Sequence, residues 1–489
     1  MTRFAKHSAV YTIGNVIYRG ASFLLIPLYA HYLSPDQFGL LEILYVTAAI
    51  FHTLFASGVA HASLRFYFEY DKEEDRNTVI SSTLLGSLAV SVVGVAALWV
   101  LAPRISRLLL SGENHALAFR LAFAVVIFEI SREICLAFIR ARERSVLFVA
   151  ISVCQLVIQV SANVIAIVYL EWGVVGVLAG NLFTAVTIWM LLAGVTFGTC
   201  GFRFDFAKLW PVVKYGNPLM LSSFGGSLFR SADRYLLNAF ASLSSVGFYA
   251  LGMRIVNVVE VMVHDPFTKS YGPYRFSIMR EQDARVTYAR ILRYYLVINA
   301  CASLGLCLFA EQVVELIASA EYRGAAWIVP LLVMQFPLRA MTYCFQTGIY
   351  VQKKTDAIFK VTMTSGCVAL TANIVLIPWI GVYGAAITTA IQAGFTAVMT
   401  YVMAQRLYAI PYELRRLNAV IGVTIVWALL GLQIDSVSLV NEIVAKGALL
   451  TIYLPAILLA RGIDREELAS LKRWATDFGT ILAARRTAS

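Results

Sequence analysis

Charge is what this sequence has least of. Only 14% of its 489 residues are Asp, Glu, Lys or Arg and 59% are hydrophobic, whereas a soluble domain carries about 25% charged residues. A soluble chain of this length would divide into domains joined by polar linkers, yet no Ser-, Gly- or Pro-rich linker and no low-complexity stretch interrupts it. Its cysteines, Cys135, Cys154, Cys200, Cys301, Cys307, Cys344 and Cys367, have no metal-site spacing and read as small buried hydrophobes. Walker A and dinucleotide glycine loops, a nucleophile elbow and a metal-ligand cluster are all missing, which excludes the enzymes built on them. The longest expected outside loops, near 102–115 and 318–324, are too short to hold the catalytic acids of a membrane glycosyltransferase or polysaccharide polymerase. The first apolar run, residues 10–32, is too long for a signal-peptide core and lacks a cleavage site, so it is expected to stay as a membrane helix.

What is present is a succession of apolar runs of bilayer-spanning length. They predict an all-α polytopic membrane protein of about fourteen helices. The expected spans are 9–32, 38–62, 77–101, 116–139, 145–169, 173–197, 214–239, 246–267, 289–317, 325–349, 356–379, 382–405, 416–433 and 441–461. With a cytoplasmic N terminus, the basic groups Arg3 and Lys6, Arg140-Arg142-Arg144, Arg203-Lys208-Lys214, residues 269–293, Lys353-Lys354, Arg415-Arg416 and the tail all fall inside. Only Arg104, Arg107 and Arg323 fall outside. This is the positive-inside pattern, with both termini cytoplasmic. It also accounts for the +11 net charge, because charge spread over short loops does not form a nucleic-acid face.

A repeat runs through the chain. Gly173-Val174-Val175-Gly176 is echoed by Gly381-Val382-Tyr383-Gly384, and Phe38-Gly39 by Val246-Gly247, each 208 residues on; Ser161-Ala162-Asn163 and Thr371-Ala372-Asn373 lie 210 apart. Two six-helix bundles are therefore expected, 1–205 and 206–410, related by a pseudo-two-fold axis along the membrane normal. Two accessory helices (411–465) and a cytoplasmic tail (466–489) would complete the chain. In transporters built this way the substrate site lies between the repeats.

Charges at membrane depth cost about 2.5–3.5 kcal/mol each on the insertion scale and mark function by default. Helix 1 has a polar stripe of Tyr11, Asn15, Tyr18, Arg19 and Ser22. The seventh span has Ser223, Ser227, Arg230, Arg234 and Asn238, the eighth Arg254, Asn257, Glu260 and His264, and the tenth Gln335, Arg339, Thr342 and Gln346. Four wet faces drawn from both repeats imply a shared hydrophilic cavity. Structural readings stand beside the functional ones. Glu129 and Arg132 are spaced to close on each other, and Asp233 is placed to neutralise Arg230 or Arg234. Lys446, near the end of the last helix, is expected to snorkel. Arg19, Arg230, Arg254 and Arg339 leave a cationic excess, which implies an anion, and the guanidinium fork suits phosphate.

Particular motifs carry a resemblance. Tyr11-x-x-Gly14-Asn15, Ile26-Pro27-Leu28-Tyr29, Leu33-Ser34-Pro35-Asp36-Gln37-Phe38-Gly39-Leu40, Asp233-Arg234-Tyr235-Leu236-Leu237 and Val246-Gly247-Phe248-Tyr249 resemble the polysaccharide-transporter family. These are the Wzx-type flippases of the multidrug/oligosaccharidyl-lipid/polysaccharide exporter superfamily. The resemblance implies translocation of undecaprenyl-pyrophosphate-linked oligosaccharide, such as an O-antigen repeat unit, across a bacterial cytoplasmic membrane by alternating access. It implies Arg19, Arg230, Asp233, Arg234, Arg254 and Arg339 around a central cationic cavity. No cofactor is expected beyond a coupling ion, H+ or Na+, for which Glu129, Arg132, Asp233, Glu260 and His264 are the candidates. Polysaccharide assembly proteins are the implied protein partners. A lipid II flippase remains the alternative, ahead of a multidrug antiporter, whose cationic substrates would favour a negative cavity.

Overall fold

The computed structural model describes residues 23–460 except 57, 111–113 and 435–438. Arg19 and the rest of the helix 1 stripe lie outside the described residues. Those described are helical almost throughout. The helices are α1 (Phe23–Tyr32), α2 (Pro35–Ala56), α3 (Val59–Glu69), α4 (Glu73–Leu110), α5 (Ala116–Ala141), α6 (Ser145–Val164), α7 (Gly173–Cys200), α8 (Phe206–Phe240), α9 (Leu243–Val259), α10 (Asp265–Ser277), α11 (Ala284–Leu308), α12 (Ala310–Ile317), α13 (Arg323–Ala326), α14 (Val329–Val333), α15 (Gln335–Val351), α16 (Asp356–Ile380), α17 (Val382–Leu407), α18 (Leu414–Gly431) and α19 (Leu439–Leu459). Wider π-type turns continue α6 over Ile165–Tyr169 and join α9 to α10 over Glu260–His264.

Among the described residues ten helices are long and apolar enough to cross a membrane, or eleven if the bent pair Ala320–Ala326 and Val329–Val351 is one span. This shortfall from fourteen has a compositional cause. α5 carries Arg120, Glu129, Arg132, Glu133 and Arg140, and α8 carries Lys208, Lys214, Arg230, Asp233 and Arg234. Both helices stand where spans were expected, but neither passes on apolarity. The first expected span falls partly outside the described residues.

Helix ends follow local chemistry. α4 opens with Glu73, Glu74 and Asp75 at the positive end of its dipole, and Asp205 caps α8 by accepting from the Ala207 amide at 2.8 Å. The turn after α5 bonds Arg142 N to Phe138 O, Glu143 N to Arg140 O and Arg144 N to Ile139 O. The turn after α15 repeats these bonds 210 residues on: Gln352 to Gly348, Lys353 to Tyr350 and Lys354 to Ile349. Glu143 (φ 53°) and Lys353 (φ 57°) both take the left-handed conformation there.

The chain forms two compact units. The first holds residues up to Ala250 with Ile317–Glu321, and the second holds Leu251–Leu316 with the residues from Tyr322 on. In the first, Leu84, Ile134, Ile139, Phe148, Ile188 and Leu192 pack α4, α5, α6 and α7 together. The same unit contains a crossing of α2 and α9 with backbone against backbone. A Cβ on Gly39 would stand 1.9 Å from Leu243 O, and one on Gly247 2.1 Å from Pro35 O. Ser244 Oγ donates to Asp36 Oδ1 at 2.7 Å. Pro35 and Leu243, Asp36 and Ser244, Gly39 and Gly247 are each 208 residues apart, so the contact reads the same from either helix. Lipid offers no hydrophobic reward for helix association, and close approach through small residues supplies van der Waals contact instead.

In the second unit Leu292, Tyr295 and Leu296 of α11 pack with Cys344 and Phe345 of α15, Leu417 and Val420 of α18, and Tyr453 and Ile457 of α19. One expectation is corrected here. Lys446 does not snorkel: it is 5% exposed and its Nζ pairs with Glu442, which also accepts from Gln312 Nε2 at 2.7 Å. The carboxylate one helical turn away, half-buried and bonded to α12, holds the ammonium inside.

Candidate functional site

In the first unit, the α8 stripe divides into groups that are engaged and one that is open. Arg234 Nη1 donates to both Asp233 oxygens at 2.9 Å, and its Nε lies 3.7 Å from Glu42 Oε1. Tyr249 Oη donates to Asp233 Oδ2 at 2.6 Å, and its ring lies under the guanidinium at 5.1 Å. Asp233 and Arg234 thus close on each other rather than on Arg230. Asn238 donates to Leu109 O at 2.5 Å, tying α8 to the end of α4. Arg230 is exposed, with no acidic partner among the described residues. On α5, Arg132 is buried, 3.3 Å from Glu129 and donating to Gln155 Oε1 at 3.1 Å. The spacing-based pair is therefore formed, with an amide added from α6.

The second unit brings three of the expected residues together. The turn Glu260–His264 sets its two titratable side chains along one side of the α9–α10 helix. Arg339 of α15 places Nη1 2.9 Å from Glu260 Oε2 and donates from Nη2 to Oε1 at 3.1 Å. His264 Nδ1 is hydrogen-bonded to Tyr295 Oη, and its ring stands 5.7 Å from that of Tyr343. Phe267 stacks on Tyr295 at 3.5 Å, nearly parallel. Arg254 is half-buried on α9, on the same stripe. Wider π-type turns cost regular hydrogen bonding and gather at functional sites.

Sequence reasoning missed the groups that complete these networks. Glu42, Gln155, Tyr249 and Tyr295 each lie on a different helix from the charge they serve. It also placed Arg275 in a basic loop. The structure buries it against Tyr350, 4.1 Å from the ring centre. Among the described residues no group of three or more His, Cys, Asp or Glu converges as a metal site.

The sequence profile described as "Polysaccharide biosynthesis protein" matches residues 4–279. The fold is similar to that of the lipid II flippase MurJ in an inward closed conformation. The TM-score is 0.75 at 12% identity, over 92% of this chain and 99% of that one. It is also similar to an inward-facing multidrug resistance MATE family transporter of the MOP superfamily. There the TM-score is 0.63 at 15% identity, over 85% and 98% of the two chains. An uncharacterized membrane protein of Haemophilus influenzae is 19% identical over 394 residues, 78% of this chain and 94% of its own length.

Proposed function

The chain belongs to the polysaccharide biosynthesis protein family, and from that premise we propose that it is a flippase for undecaprenyl-pyrophosphate-linked oligosaccharide. The observation that carries this reading is exposed arginine on two of the polar helix faces, those of α8 and α15. Arg230 is exposed on α8, and the Arg339 side chain is 42% exposed despite its ion pair. A membrane protein bears the cost of such groups for an anionic cargo, and the planar fork fits phosphate oxygens. The cargo would be an O-antigen or similar repeat unit, moved from the inner to the outer leaflet of a bacterial inner membrane, with both protein termini cytoplasmic. Its sugars and pyrophosphate pass through a cationic cavity by alternating access while the prenyl tail stays in lipid. Among the coupling candidates, Glu260 and His264 lie beside the partly exposed Arg339, and we favour them as the groups for coupling to H+ or Na+.

A lipid II flippase is the second reading, favoured by the similarity in fold to MurJ. Its cargo would meet the same arginines through the same pyrophosphate. A multidrug antiporter is disfavoured, since cationic drugs would be repelled.

The test measures lipid-linked sugar export and folded protein recovered in detergent for the same alanine variants of Arg19, Arg230, Arg254 and Arg339. At least two, Arg19 and Arg230 first, should fold normally and lose export. Each lost contact corresponds to about 1.5–3 kcal/mol, the range for hydrogen bonds to a charged group. Lysine variants should keep partial export. Wild-type export from all four alanine variants would refute the mechanism. Rescue of a strain lacking its lipid II flippase, but not of one lacking its polysaccharide flippase, would select the second reading.

A further inference from the structure

Resting on the flippase reading, we infer that Glu260 is the exchangeable counter-ion of Arg339, holding the guanidinium until pyrophosphate displaces it and then taking a proton. Three observations on this side of the second unit lead there. The pair is accessible: the Arg339 side chain is 42% exposed and that of Glu260 20%, so a phosphate can approach without unpacking the core. The pair is also incomplete. Nη2 donates to Oε1 at 3.1 Å, whereas Oε2, although 2.9 Å from Nη1, has no aligned hydrogen-bond donor. Finally, the pair sits on the π-type turn Glu260–His264, whose wider hydrogen bonding is less regular than that of the helix on either side.

The surroundings decide the fate of the freed carboxylate. The charged neighbours of His264 are Glu260 and Asp265 on its own helix and Arg339 on α15. Its imidazole is bonded to Tyr295 of α11 and flanked by Tyr343 of α15. Once pyrophosphate has taken Arg339, the Glu260 carboxylate is left with the Tyr295 phenol and the His264 imidazole near it. Without its cation and only 20% exposed, it binds a proton from water at Oε2, forming one O–H bond and leaving a neutral acid. The proton is favoured in the ligand-bound state, so ligand binding takes protons up and affinity falls as pH rises. A fixed structural pair would add nothing to the effects of the ligand's own protons, because its carboxylate would never be given up.

The experiment titrates inorganic pyrophosphate into the purified full-length protein by calorimetry, in two buffers of different ionisation heat and over a range of pH. Wild type and the variants E260Q and R339A are compared. Pyrophosphate's own protons contribute equally to wild type and E260Q, so the difference between them isolates Glu260. E260Q should bind about 1.5- to fivefold tighter, the range expected when an exposed to half-buried competing ion pair is removed. It should also take up fewer protons and show a flatter pH dependence. R339A should lose binding. Wild-type affinity in R339A would sink the arginine site itself. Lost binding in R339A, with E260Q matching wild type in affinity and proton uptake, would leave that site standing and overturn the exchange. Failure of E260Q to fold while R339A folds would overturn it too, because an exchangeable partner is dispensable to the fold.

Discussion

Tyr249 is fully buried, and its hydroxyl joins Arg234 in satisfying Asp233 at a depth where water cannot. Tyr249→Phe keeps the ring and its packing but leaves Oδ2 one donor short. The expected cost is about 1–3 kcal/mol for a buried acceptor left unsatisfied, read as a lower melting temperature in detergent with export preserved in the folded fraction. Asp233→Ala should cost more, about 3–5 kcal/mol, since it strands the buried Arg234. Export lost from a fully stable Tyr249→Phe protein would mean that this network serves transport directly. The charges at 230, 233 and 234 were legible from helical spacing alone. Their division into one open arginine and one closed pair was not, because Tyr249 and Glu42 reach Asp233 and Arg234 from α9 and α2, and spacing along one helix carries no information about its neighbours.

The same limit applies to whole helices. α19 looked apolar apart from Lys446, and a lone lysine near a helix end suggests snorkelling. What reverses that reading is Glu442 one turn earlier together with Gln312 on α12, a pairing set by how α19 docks. Lys446→Met should leave Glu442 buried without its cation and cost about 3–5 kcal/mol. The double variant Lys446→Met with Glu442→Gln should recover most of that, and a thermal-unfolding double-mutant cycle measures the coupling. Additive losses would show that the pair contributes nothing. The π-type turn at 260–264 was not foreseen, although Pro266, which cannot donate to the Met262 carbonyl, stands just beyond it. The turns at Gly173 and Gly381 announced themselves by their glycines, while the matching left-handed turns at Glu143 and Lys353 did not, because ordinary side chains fill those positions.

At the scale of the molecule, bilayer residence was legible because hydropathy is a sum over many residues. The turn bonds that recur 210 residues apart are the backbone form of the echoes in the sequence. Orientation in the membrane rests on the Lys/Arg asymmetry and is open to a direct test. Single cysteines near Arg142 or Lys353, placed in a protein freed of its seven native ones, should react only with reagents that reach the cytoplasm. A cysteine near Tyr322 should react with impermeant external ones, and reversed labelling would invert the topology. The crossing of α2 and α9 bears on how such a molecule can move. Side-chain interfaces yield by degrees, because rotamers can turn and methyl groups can slide past one another. At Gly39 and Gly247 there is only peptide against peptide, and the obstacle to any added atom is a carbonyl that no substitution can trim. Such a joint leaves no room for a side chain at either position, and its two glycines, 208 positions apart on the chain, carry the same constraint.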